Sequence, residues 1–333
     1  MRKPMPRTLS VAVESWPIRG IFRISRGART EAQVVVATVR DGDAVGRGEC
    51  VPYARYGESV DSVVAQIRGV ADALAGGLDR EGLLSALPAG AARNAVDCAL
   101  WDLEAKLSGI PVWKSAGLVA APGTVTTVFT LSVDTPEAMG EAAARNADRP
   151  LLKLKMTGDG LDLDRVARIH ANAPATRLVV DANEAWDVAT YRELAPKLGG
   201  LGVEMIEQPL PAKDDSGLLG LDRPVPVCAD ESCHDTATLD ALAGKYDTVN
   251  IKLDKTGGLT EALRLRAEAE RRGFGIMVGC MIGTSLGMAP GMLVAQGVGL
   301  VDLDAPLLLA RDREPGMRYD GSIVHPADPA LWG

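Results

Sequence analysis

Eight ionisable side chains stand at or just past the ends of short apolar runs: Lys153 and Lys155 in LLKLKMTG, Asp181 in VVDAN, Glu207 in MIEQP, Asp230 in VCADES, Lys252 in VNIKLDKTGG, and Asp302 with Asp304 in VDLDAP. Singly, each has a bland reading. An Asp or Asn after a strand caps a helix or makes a turn, EQP ends a strand before a proline, and a lysine is solvated. Gathered at one place, charges of both signs bring no gain in stability, because buried ions are costly unless function retains them. Three carboxylates with no His or Cys among them form a hard oxygen site suited to Mg2+, with Asp181, Glu207 and Asp230 as ligands. Lysines beside such a site serve as proton acceptors, since a nearby cation and a second ammonium group lower a lysine's pKa toward neutrality. Lys153 is placed to act on Lys155 in this way, because residues two apart on a strand point the same way.

These strand ends recur about every 25 residues, with a double interval before Asp302, and that is near the length of one βα unit. The expected strands are Val125–Leu131, Leu151–Lys155, Leu178–Asp181, Val203–Glu207, Val225–Asp230, Val249–Lys252, Ile276–Gly279 and Leu300–Asp304, with helical patterns between most of them. Alternating strands and helices imply parallel pairing, and eight such strands imply a closed barrel with its active face at the strands' carboxyl ends. Lys155 on the second strand and Lys252 on the sixth then stand opposite one another. A substrate held between them offers one face to each lysine, so a proton α to a carboxylate is removed on one side and returned on the other, with the cation stabilising the enolate. Residues 1–120 read instead as an α+β capping domain. They hold the strand VAVESW, an Arg- and Gly-rich loop between Pro17 and Thr30, the strand AQVVVATVR, a hairpin between Arg40 and Val45, and helices over Ser59–Leu74 and Ala91–Lys106. The barrel is expected over 121–305. Residues 306–333, with a hairpin around Asp320–Gly321, are expected to return to the cap.

The composition narrows the function. Thirty-six basic against 44 acidic residues give a net charge of −8 with no basic block, so no nucleic-acid partner is expected. No apolar run is long enough for a membrane span, and five irregularly spaced cysteines fit reduced thiols. A cytoplasmic protein acting on a small molecule is expected, and a homo-oligomer is the common form of such enzymes.

In order and in strand position, the K-x-K pair, the carboxylates of DAN, EQP and DES, and the lysine of NIKLDKTGG resemble the enolase superfamily, specifically its muconate-lactonising subgroup. The helix AARNAVDCALWDLEAK is similar to the one that precedes the barrel in that family. The resemblance implies a modified TIM barrel, (β/α)7β, with an α+β capping domain made from both termini, one Mg2+ per subunit and enolate chemistry, the superfamily pattern of a lysine base with Mg2+. Within the subgroup, the Asp302/Asp304 pair is similar to the signature of dipeptide epimerases acting on L-Ala-D/L-Glu in cell-wall peptide metabolism. There the pair holds the α-ammonium group, and two carboxylates would repel a succinyl group. The alternative is an N-succinylamino acid racemase or o-succinylbenzoate synthase. Specificity is expected from the capping loops: Arg26, in competition with Arg23 and Arg29, pairs with a glutamate side chain, and Tyr53 and Tyr56 line the pocket. Thr130 is expected to touch substrate, Asn183 and Glu231 to support the metal ligands, and Asp254 to contact Lys252 or Lys155.

Overall fold

The computed structural model describes residues 6–333. The chain begins with a three-stranded antiparallel sheet of β1 (Thr8–Ile24), β2 (Gly27–Asp41) and β3 (Ala44–Cys50). The segment expected as a loop between Pro17 and Thr30 is strand almost throughout. β1 and β2 stay paired from Thr8↔Arg40 out to Ile24↔Gly27, with one register shift between Pro17 and Phe22, so Ser25 and Arg26 sit at the tip of a long hairpin. Along β2, alternation divides two cores. Val35, Ala37 and Val39 join the cap's own cluster, while Val34 and Val36 join the cluster that runs through the barrel.

The helix Ala91–Ser108 lies across this sheet and is buried on nearly every side. Two glycines make the approach possible. A Cβ on Gly46 would lie 2.1 Å from the Ala99 carbonyl, and one on Gly48 would lie 2.1 Å from the Ala95 carbonyl.

Next comes β4 (Val125–Thr126), followed by eight parallel strands: β5 (Phe129–Leu131), β6 (Leu151–Lys155), β7 (Arg177–Asp181), β8 (Val203–Glu207), β9 (Val227–Ala229), β10 (Thr248–Ile251), β11 (Gly275–Val278) and β12 (Leu300–Val301). They pair in sequence order. A parallel bridge between Thr127 and Val301, with Val128 N donating to the Val301 carbonyl at 2.8 Å, joins the last strand to the first and closes the barrel. Helices cover most of the outer connections, but the β8–β9 link is made of short 3-10 turns over Ala212–Asp214 and Ser216–Leu218.

Strand alternation sorts the barrel side chains by chemistry. Leu152, Leu154, Val180, Ile206 and Ile251 point outward into the large core against the helices. The inward set begins with an apolar layer of Leu151, Val179, Met205, Cys228 and Met277. One step of two residues further along, the same inward face carries Lys153, Asp181, Glu207 and Asp230.

The C-terminal hairpin, β13 (Tyr319–Asp320) and β14 (Ile323–Val324), pairs with β4 rather than with the first sheet. The residues on either side of it do reach the first 120. Ala310 N donates to the Pro17 carbonyl at 2.7 Å, and Trp332 Nε1 donates to the Cys98 carbonyl at 3.0 Å. Among the described residues no helix is long and apolar enough to cross a membrane.

Because the atoms a new methyl would meet are helix backbone, Gly46→Ala and Gly48→Ala are each expected to destabilise the fold by about 1–3 kcal/mol or more. Thermal denaturation followed by circular dichroism should show each midpoint lowered.

Candidate active site

The ionic layer is buried. Lys153, Lys155, Lys252 and Lys255 face Asp181, Glu207, Asp230, Glu231, Asp302 and Asp304, all 8% exposed or less. Lys153 Nζ lies 3.2 Å from Asp181 Oδ2, 2.7 Å from Glu207 Oε2 and 2.7 Å from Asp302 Oδ2, so it joins the carboxylates of β7 and β8 to the pair beyond β12. Lys155 Nζ reaches Asp181 Oδ2 at 2.5 Å, and Lys252 Nζ reaches Asp230 Oδ2 at 2.6 Å.

These contacts favour the charged forms of Lys153 and Lys252. Burial acts against the charge on Lys153, yet Asp302, Glu207 and Asp181 outweigh it and hold its pKa well above the usual value. On Lys252, burial is likewise overcome by Asp230. Burial would raise Asp181, but Lys155 and Lys153 bring it down to about 2. Glu207 moves the other way, pushed up by burial and then by the Asp181 charge.

The layer has the makings of a cation site. Glu207 Oε1 accepts from Asn250 Nδ2 at 2.7 Å, and its Oε2 is paired with Lys153, whereas other acceptors of the layer are orphaned. Glu231 Oε2, Asn183 Oδ1 and Asn250 Oδ1 are buried acceptors without a partner. Orphaned lone pairs in a ring of carboxylates fit a hard divalent cation, which Asp181, Glu207 and Asp230 could hold. In this structure their oxygens are engaged by lysine ammonium groups. Among the described residues, Cys280, Asp302 and Asp304 gather ligand atoms within 4.8 Å of one another.

Asp302 and Asp304 lie beyond β12 and not along it. The strand ends at Val301, and Asp304 precedes the short helix Ala305–Leu308. Asp302 N still donates to the Val278 carbonyl at 2.7 Å, which continues the sheet pattern and keeps the pair at the mouth. Thr130 contributes through its backbone, its N–H donating to Asp304 Oδ2 at 2.6 Å. Burial and the adjacent Asp302 push Asp304 up to about 7. A small cavity of about 40 Å3 is lined by Lys153, Cys280, Asp302 and Asp304. It shares Phe22, Lys155, Lys252, Cys280, Met281 and Ile282 with a larger cavity of about 430 Å3 that extends under the hairpin tip to Arg29, Tyr53, Arg55 and Tyr56.

Arg26 reaches the site, but protein acceptors already use its charge. It donates to Glu231 at 2.7 Å, Tyr53 Oη at 2.9 Å, the Asn183 carbonyl at 2.9 Å and Glu184 at 3.2 Å. Arg29 lines the cavity 5.6 Å from the Tyr53 ring centroid and makes no ion pair among the described residues. Asp254 contacts neither lysine. It lies in the first turn of the one-turn helix Leu253–Thr256, which carries it away from the strand's line, and it accepts from Val51 N at 3.0 Å and Asn94 Nδ2 at 2.9 Å in the cap. Asn183 N donates to Asp181 Oδ1 at 2.9 Å, and Asn183 Nδ2 reaches Glu231 at 3.4 Å.

Sequence reasoning missed several residues. Lys255 and Asn250 belong to the same NIKLDK run as Lys252, which was a signal left unused. Gly279 leaves room for Asn250 and Lys252, since a Cβ there would lie 2.6 Å from Asn250 Oδ1 and 3.0 Å from Lys252 Cε. Glu184 had no signal. It ties the barrel to the cap by two 2.6 Å bonds from Arg55 and one from Arg26, at a turn where Asn183 and Glu184 have φ of 45° and 68°.

A buried lysine at the end of each of two opposed strands, beside three carboxylates and under a capping domain, sets one ammonium group on either side of a single cavity. Residues 6–117 match the mandelate racemase / muconate lactonizing enzyme N-terminal domain and residues 138–312 match the enolase C-terminal domain-like family; the chain belongs to this family. It is 46% identical over 321 residues to an L-Ala-D/L-Glu epimerase of Escherichia coli K12, covering 96% of this chain and 99% of that one. It is 43% identical over 304 residues to an N-acetyl-D-glutamate racemase of Pseudoalteromonas sp., covering 90% and 95%. An enolase family member from Agrobacterium tumefaciens with homology to dipeptide epimerases, crystallised with sodium and L-Ala-L-Glu, superposes with a TM-score of 0.97 at 52% identity, covering 98% and 100%.

A bidentate, partly buried ion pair contributes about 1–2 kcal/mol. Glu184→Ala is therefore expected to speed amide hydrogen exchange at the hairpin tip by about tenfold, with the global unfolding midpoint little changed. Mass spectrometry of residues 24–29 would measure it.

Proposed function

We propose that this chain is a Mg2+-dependent dipeptide epimerase that inverts the α-carbon of the second residue of L-Ala-D/L-Glu. The observation that carries this reading is the placement of Lys155 and Lys252 at the ends of strands four apart in an eight-membered ring, both lining one cavity. Lys155 takes the α-proton from one face, and Lys252 delivers a proton to the other. Asp181, Glu207 and Asp230 hold the cation, one per subunit, with Asn183 and Glu231 steadying them. When bound, Mg2+ supplies positive charge against the negative charge that develops on the substrate carboxylate.

Lys153 already neutralises Asp302 at 2.7 Å, so Asp304 offers the remaining negative charge to an α-ammonium group in the small cavity. At the hairpin tip Arg29, without an ion pair of its own among the described residues, replaces Arg26 as the group that meets a glutamate side chain, and Arg26 orients Glu231. Residues 1–120 and 306–333 form the cap in this scheme and 121–305 the barrel. The enzyme then works in the cytoplasm on peptides released from the cell wall.

In D2O with Mg2+, deuterium incorporation into the second residue of L-Ala-L-Glu is expected for the wild type. Lys155→Ala and Lys252→Ala are each expected to lower epimerisation by about a hundredfold or more while circular dichroism shows the fold intact, the usual loss for a general base. Wild-type epimerisation by either variant would overturn the reading.

A second reading, racemisation of an N-acylated glutamate, is favoured by the Lys153–Asp302 pair together with the raised Asp304, which when protonated leaves the small cavity without a free negative charge and able to donate to an amide. The pH dependence separates the two. Asp304, pushed up to about 7, is neutral below that value, so the site loses its ammonium partner as pH falls. Exchange into L-Ala-L-Glu is therefore expected to fall relative to N-acetylglutamate by up to about tenfold per pH unit below 7. Asp304→Asn is expected to remove dipeptide exchange preferentially. If N-acetylglutamate alone exchanges in the wild type, the second reading stands.

A further inference from the structure

Lys255 has no part in the proton transfer proposed above, yet it is among the largest fully buried side chains of the chain. All three donors of its ammonium group are used. Nζ lies 2.6 Å from Asp230 Oδ1, 2.6 Å from the Asp230 carbonyl and 2.9 Å from the Asn250 carbonyl. A buried lysine normally costs stability, and a methionine of similar length would fill the same space without charge. The geometry explains why the charge is kept. The one-turn helix Leu253–Thr256, begun by Lys252 and ended by Gly257 at φ 72°, turns Lys255 back beneath the end of β9. From the other side the Gln208 side-chain carbonyl, set by a backbone at φ 35°, accepts from Asp230 N at 2.9 Å. Asp230 is thus held by its nitrogen, its carbonyl and one carboxylate oxygen. Its remaining oxygen, Oδ2, meets Lys252 at 2.6 Å.

We propose that Lys255 is a positioning residue that clamps Asp230 through Oδ1 and the backbone carbonyl, so that Asp230 presents Oδ2 alone to the cation site and to Lys252. The two lysines on this carboxylate have opposite roles. Lys252 competes with the cation for Oδ2 and is released from Asp230 when the cation takes it, whereas Lys255 stays in place in both states. The inference rests on the proposed assignment of Asp230 as a metal ligand.

The signs of two substitutions test it. By charge alone, removing either ammonium group beside a cation site tightens cation binding. If Lys255 clamps the ligand, Lys255→Met weakens binding despite the lost repulsion, while Lys252→Met leaves it unchanged or tightens it. The measurement is titration of the full chain with Mn2+, reading free aquo-Mn2+ by electron paramagnetic resonance, which needs no turnover. Lys255→Met is expected to weaken Mn2+ binding about 10–100-fold, the usual effect of removing a partner that orients a ligand, with a cooperative thermal transition retained. Should Lys255→Met lack that transition, Lys255→Gln, which keeps amide donors without the charge, carries the same comparison with the same expected sign. Tighter or unchanged Mn2+ binding by the folded Lys255 variant, with normal binding by the wild type, overturns the clamp and leaves the metal site standing. Failure of the wild type to bind Mn2+ overturns both.

Discussion

The arrangement depends on compensation of buried charge at the mouth of the barrel. Six carboxylates and four lysines share a volume from which water is largely excluded, and an isolated ion there would cost several kcal/mol. Each ammonium group therefore has carboxylate partners at 2.5–3.2 Å. Strand alternation makes the concentration possible. The same inward face that carries Leu151, Val179 and Met205 carries Lys153, Asp181 and Glu207 two residues later, so a dry apolar floor supports the ionic layer. The low dielectric above that floor strengthens every ionic contact, and burial together with neighbouring carboxylates raises Asp304, beside Asp302, and Glu231, beside Asp230 and Asp181, the latter despite Arg26 at 2.7 Å. Asp304 and Glu231, both pushed up to about 7, are the groups on which the charge balance is least complete.

The cap is joined to the barrel by the same device of buried polar groups with assigned partners. The helix Ala91–Ser108 is buried too completely to be amphipathic, and its polar residues are spent on the barrel. Arg93 donates to the Thr256 carbonyl at 2.7 Å, Asp97 accepts from Thr260 N at 2.9 Å, and Asn94 holds Asp254. These contacts fall on the segment that immediately follows Lys252, so the cap's main helix braces the strand end that carries the lysine. Burial pushes Asp97 up to about 6 even with its two Thr260 bonds, a cost accepted for a fixed interface. On the opposite side Glu49 of β3 accepts from Thr284 N at 2.7 Å and from Arg313 at 2.7 Å, which joins the cap, a barrel helix and the C-terminal segment at one carboxylate. The hairpin tip is held differently, by half-exposed arginines on Glu184 and Glu231. A tip held by ions that water can reach opens more readily than a helix held by buried bonds.

The barrel and its ionic ring were legible in the sequence because both follow from local periodicity. A strand two residues wide in pattern dictates which side chains share a face, and an interval of about one βα unit dictates that strand ends meet at one mouth. Lys153, Lys155, Asp181, Glu207, Asp230 and Lys252 were therefore found together without reference to any contact. Tertiary structure alone decided how those charges are partnered. Periodicity assigns a residue to a face but says nothing of which acceptor its last atom reaches, so Asp254, two residues past Lys252, turned to the cap, and Lys255, three past it, turned back to Asp230. The same holds for the long hairpin, whose strands pair only because the partner segment is present along their full length, and for Arg26, whose charge is consumed by carboxylates more than 150 residues away. Contacts between residues far apart in the chain depend on the packing of whole elements, and no local pattern of residues encodes them.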